Sequence, residues 1–217
     1  FGGTSSRQLV FGFMAAAAVL SMWISNTATT LMLLPVALAV VERSKDDSLA
    51  IPLLLGIAYA ASVGGIGTPI GTPPNLVFRE VYENVTGTEI GFMTWMSWGI
   101  PIVLIFVPII GLWLTRSLHF KGEIKMPTVG KWQTEEKRVF IVFSLTALAW
   151  ITRGQPFGGW STWLDLPNAN DASVALIAVI TMFLIPDGKG KKLLDWETAV
   201  NIPWGMLILF GGGIAIA

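Results

Sequence analysis

The longest charge-free stretch of the chain covers residues 8–41, between Arg7 and Glu42, and it is apolar on both sides of a polar centre, Ser25-Asn26-Thr27. In lipid such a centre is costly unless its backbone and side-chain groups find partners. The flanking arms, residues 8–24 and 28–41, each fall short of the roughly 20 residues that a spanning helix needs. The pattern suits a re-entrant hairpin, in which one apolar helix enters, turns at Ser25-Asn26-Thr27, and a second returns to the same side. One long spanning helix with a polar midpoint satisfies the same pattern, and the residues alone leave the two open. Ser21 stands four residues before Ser25, so on a helix their hydroxyls share a face; the alternative is a bond back to a helix carbonyl. Thr29 and Thr30 read as small residues at a helix contact.

A charged turn over residues 42–48 follows, and apolar residues resume over 49–63 before G-G-I-G-T-P-I-G-T-P-P-N at 64–75. Four glycines and three prolines in that run end the helix, because proline removes a donor and clashes with the preceding turn. A short amphipathic stretch from Asn75 to about Glu83 completes a broken membrane helix over 49–83. Its unwound middle is tolerated only in a protein-buried or water-lined place. An interfacial loop between two short helices is the alternative.

Residues 93–116 form a full span, with Trp95 and Trp98 at one interface, Trp113 at the other, and Pro101 and Pro108 as kinks. Residues 118–138 are polar and of mixed charge, an arm lying on the membrane surface; His119 there reads as a solvated loop residue. Further spans are expected from 139–151, around 173–185, and from about Val200 onward. Gly211, Gly212 and Gly213 suit close helix packing. They do not suit a phosphate loop, since no Lys-Ser/Thr pair follows.

Composition sharpens this into an all-α polytopic membrane protein. Of 217 residues 53% are hydrophobic and 13% charged, with a mean hydropathy of +0.66, beyond the soluble range. The absence of cysteine removes disulfides, thiolate metal sites and cysteine nucleophiles together. A single histidine, with no carboxylate pair inside an apolar run, argues against acid–base catalysis. A net charge of zero gives no footing for nucleic acid. The opening on Phe1 and the close on G-G-G-I-A-I-A read as a fragment. With a hairpin that enters and leaves on the cytoplasmic side, twelve of the fourteen Lys and Arg fall on that side, and only Arg79 and Arg153 oppose them. That is a strong positive-inside bias.

The two interruptions share a chemistry. Thr27 is placed to cap the helix after the first, and Thr72 to cap the half-helix after the second, with Pro73 at its first position. Helix starts offer unpaired amides to an anion, and the preceding half-helix ends offer carbonyls, at Ile24 and over residues 64–71. Uncharged oxygens without a fixed charge suit a weakly held Na⁺, and discontinuous helices meeting at one midplane site are a recurring transporter design.

S-N-T-A-T-T in an apolar hairpin, followed by G-T-P-P-N in a broken helix and W-G-M-L-I-L-F-G-G-G near the end, resembles the divalent-anion/sodium symporter family over essentially the whole chain. The resemblance implies sodium-coupled transport of dicarboxylates, citrate or sulfate, with a sodium-independent anion exchanger of the same fold as the alternative. It implies the first inverted repeat of an elevator-type transporter: residues 1–117 as part of the transport domain, 118–138 as the arm, 139–217 as scaffold helices that dimerise. By the same resemblance Asn26, Thr27 and Thr72 would contact substrate. Ser21, Ser25, Asn26 and the Gly71 carbonyl would hold sodium. No second S-N-T or T-P-P-N occurs in residues 76–217, so half of the site is expected here. A multi-pass protein of the plasma or inner membrane is implied.

Overall fold

The computed structural model describes residues 6–44, 47–118, 130, 132–154, 158–202 and 204–216. His119 and most of the expected surface arm lie outside the described residues. The chain divides into two compact units, Phe1–Thr128 and Val129–Ala217. Every regular element among the described residues is a helix.

In the first unit a stripe of apolar residues at helical spacing organises the packing. Helix α1, Ser6–Ser21, buries Leu9, Val10, Phe13, Met14, Ala17 and Ala18, which is the three-and-four spacing of one helix face. That face meets α3, Asp47–Gly64, whose Leu49, Leu53, Ile57 and Ala60 complete the core. The closest approach is backbone to backbone: a Cβ at Gly64 would lie 2.4 Å from the Ala18 carbonyl oxygen. Small residues permit this approach, as at many membrane helix contacts.

Helix α2, Asn26–Ser44, follows α1 after a four-residue turn and adds Ala37 and Val40 to the same core. It corrects the arm-length argument. Glu42 and Arg43 continue the helix rather than ending it, so α2 has 19 residues and is long and apolar enough to cross a bilayer. Charged side chains do not stop a helix whose backbone bonds are made, and at a membrane surface their heads stay in water.

The second interruption occupies residues 65–72, between α3 and α4, Pro73–Thr86. Helix α4 closes on Gly87, whose left-handed backbone (φ 67°) lets its N–H reach the Glu83 carbonyl. Helix α5, Phe92–Leu114, runs through Pro101 and Pro108 without interruption, and among the described residues is the second helix long and apolar enough to span. Its Gly99 lies against the interruption, where a Cβ would come within 2.4 Å of the Ile66 carbonyl oxygen.

The second unit is built on an antiparallel pair, α6, Thr134–Ile151, and α8, Asp171–Leu184. The end of α6 meets the start of α8: Arg153 Nε bonds Asp171 Oδ1 at 3.0 Å and Trp150 Nε1 donates to the Asp171 carbonyl at 2.9 Å. At the far end Arg138 donates to the Pro186 carbonyl, and Lys189 pairs with Glu135 and with Gln133 Oε1. The short α7, Gly159–Trp163, is tied to the α6 end by Trp160 Nε1 donating to the Ala149 carbonyl at 2.8 Å. Helices α9, Trp196–Ala199, and α10, Trp204–Ile216, finish the chain. Gly211 and Gly212 have open space where a Cβ would stand, so among the described residues nothing packs closely against them.

Candidate functional site

Where α1 ends, its last carbonyls lose their intrahelical partners, and the first interruption begins. Ser21 is fully buried and its hydroxyl donates to Asn26 Oδ1 at 2.6 Å. It therefore neither bonds back along its helix nor pairs with Ser25. The Asn26 carboxamide oxygen faces Gly65, where a Cβ would lie 2.6 Å from it. Gly71 lies against both half-helix ends: a Cβ there would fall 2.5 Å from the Gly65 carbonyl oxygen and 2.9 Å from that of Ser21. Ser21, Asn26 and Gly71, expected from the sequence, are thus brought together, and Gly65 joins them. The α1 carbonyl at this meeting belongs to Ser21 rather than to Ile24, because α1 ends at Ser21.

Ser25 is exposed and caps α2, its hydroxyl accepting from the Ala28 N–H at 3.2 Å. This corrects the assignment of the cap to Thr27: the helix starts at Asn26, two residues earlier than expected, so the capping position moves back to Ser25. Thr27 is exposed in the first turn. The capped start leaves the amides of Asn26 and Thr27 as the helix's unpaired donors. Thr30 bonds back to the Asn26 carbonyl at 2.8 Å, while the Thr29 hydroxyl is buried without a partner.

Thr72 stands at the capping position of α4 in extended backbone, half-buried, and its side chain makes no cap bond. The start of α4 offers little to an anion beyond its dipole. Pro73 and Pro74 have no N–H, and the Asn75 amide bonds the Thr72 carbonyl at 3.1 Å. Of the two helix starts, α2 alone presents free amides in its first two positions.

Three further side chains hold the interruption, and sequence reasoning passed over each. Asn75 is buried, and its Nδ2 donates to the carbonyls of Gly65 at 2.8 Å and Thr68 at 2.9 Å. Thr68 is buried and its hydroxyl donates to the Met22 carbonyl, joining the two interruptions directly. Trp95, expected at an interface, turns its indole N–H onto the Ile66 carbonyl at 2.8 Å. Unwound backbone in an apolar setting must have its carbonyls satisfied, and the indole supplies a donor. The signal available was the asparagine and first threonine of G-T-P-I-G-T-P-P-N itself.

Uncharged oxygens thus meet at a junction of helix ends, with free amides beside them. Among the described residues no cluster of three or more His, Cys, Asp or Glu is placed to hold a metal. Residues 1–217 match the family described as citrate transporter, and the chain belongs to that family, within the divalent-anion/sodium symporters. It is 36% identical, over 99% of its length and 46% of the relative's, to the sodium-dependent dicarboxylate transporter SdcS of Staphylococcus saprophyticus. To the protein of the same name from Staphylococcus aureus it is 35% identical over the same shares. The chain spans about half the length of the curated relatives it matches. The family and these relatives are named as transporters.

Proposed function

We propose that this chain supplies half of the binding site of a sodium-coupled symporter for small dianions such as C4-dicarboxylates, acting in the plasma or inner membrane. The observation that carries the reading is the meeting of the two interruptions at Ser21, Asn26, Gly65 and Gly71. Sodium is held by Ser21, Ser25, Asn26 and the Gly71 carbonyl, and one substrate carboxylate by Asn26, Thr27 and Thr72. The relatives' names, sodium-dependent dicarboxylate transporter, support both ions.

Magnitudes explain why the two ions travel together. A helix start contributes typically ~0.3–1 kcal/mol toward one negative charge. A sodium ion about 5 Å from a carboxylate adds on the order of 3 kcal/mol at an effective dielectric near 20. That is roughly 100-fold in affinity, so in a site without lysine or arginine the cation is the main counter-charge. The finer architecture belongs to the same proposal: residues 8–41 as a re-entrant hairpin, 1–117 as part of a moving transport domain, 139–217 as scaffold, and a homodimer with elevator-type motion. The test is succinate uptake into liposomes by the full-length protein carrying this chain. Uptake driven by a sodium gradient is expected. Equal uptake in potassium or choline buffer contradicts the reading, and counterflow without any sodium identifies an exchanger instead.

A further inference from the structure

The eight residues between α3 and α4 leave backbone carbonyls without helical partners, and the fate of each decides what a cation can reach. The Gly64 carbonyl accepts from the Gly67 N–H at 2.8 Å. Those of Gly65 and Thr68 accept from the Asn75 carboxamide at 2.8 and 2.9 Å. That of Ile66 accepts from Trp95 Nε1 at 2.8 Å, and that of Thr72 from the Asn75 amide at 3.1 Å. Neutral donors thus occupy four of these eight carbonyls, those of Gly65, Ile66, Thr68 and Thr72, and the Gly71 carbonyl, like those of Gly67, Pro69 and Ile70, stands outside these bonds. From the other side the Thr68 hydroxyl draws the Met22 carbonyl, and with it the end of α1, onto the same loop.

We infer that Thr68 and Asn75 are positioning residues that set sodium affinity. Through two buried side chains they lock the carbonyls of Met22, Gly65 and Thr68 into hydrogen bonds and hold Gly71 against Ser21. The inference rests on the sodium-coupled reading above. A backbone carbonyl already bound to an N–H or O–H donor is a poorer cation ligand, so the staple takes those of Met22, Gly65 and Thr68 out of competition for the ion. It also fixes the distance between the two interruptions, because a buried hydroxyl that loses its carbonyl, or a carbonyl that loses its donor, carries a large desolvation cost. The two parts cannot drift apart cheaply, and the oxygens of the site are held ready before the ion arrives.

The experiment uses the full-length protein in liposomes and reads succinate uptake against sodium concentration. Thr68→Val keeps the shape and removes the donor; the sodium concentration for half-maximal uptake rises about tenfold, equivalent to about 1.4 kcal/mol. Thr68→Ser restores the hydroxyl and returns the value close to that of the parent, a rescue that a purely space-filling role would not produce. A Val variant with unchanged sodium dependence, or a Ser variant shifted as far as Val, overturns the inference. If Thr68→Val does not yield folded protein, Asn75→Ala carries the same test, and unchanged sodium dependence there overturns it equally. A parent protein whose uptake ignores sodium defeats the proposed function along with the staple. A sodium-dependent parent with unshifted variants defeats the staple alone.

Discussion

At the scale of single residues, neighbouring letters of one motif do different jobs. Ser25 caps α2 through the Ala28 amide, whereas Thr27 is exposed beside the free amides. Ser25→Ala is expected to lower stability by about 1 kcal/mol, seen as a reduced unfolding temperature in detergent. Thr27→Ala is expected to leave that temperature unchanged and to raise the succinate KM. The motif was legible in the sequence as a polar break, because a polar triplet amid apolar residues has few other uses in lipid. Which member caps was not, since moving the helix start by two residues reassigns the role. The Thr68–Met22 and Trp95–Ile66 bonds join residues far apart in the chain. Nothing local marks such pairs, because they exist only once α3 and α5 have packed on the end of α1.

At the scale of elements, glycine and proline made the second interruption readable: α3 ends at Gly64 and α4 starts at Pro73, within a few residues of the expected limits. Helix length was less readable. Glu42 and Arg43 were expected to end α2 and instead lie within its last turn, because a charged head at a helix end needs only water within reach. The loop after α8 carries its own prediction. A hydrogen bond from Lys189 holds the Glu135 carboxyl below its ordinary 4.5. The Lys189 backbone N–H, with that of Lys191, holds Asp187 below 3.8. The hydrogen bond to Glu135 in turn raises Lys189 above 10.5. The carboxylate contributions are present above their unfolded values and vanish as pH falls through the lowered ones. The lysine's is present below 10.5 and vanishes as pH rises through its raised value. Protection of the Lys189 and Lys191 amides against hydrogen exchange, corrected for intrinsic rates, is expected to be flat around neutrality and to fall at acid pH. Protection unchanged below pH 3.8 would show that Asp187 does not hold the loop.

At the scale of the whole molecule, this chain matches about half of each curated relative, and the site it builds has one pair of interruptions. In the proposed reading Asn26, Thr27 and Thr72 hold one carboxylate of the dianion, and a second set of helix ends would hold the other. The central claim is that neutral oxygens hold a cation which in turn holds the anion. Succinate titrated calorimetrically into the purified full-length protein, once in sodium and once in potassium at equal ionic strength, tests it most directly. The account predicts binding roughly 100-fold tighter in sodium; equal affinity in the two salts would contradict it.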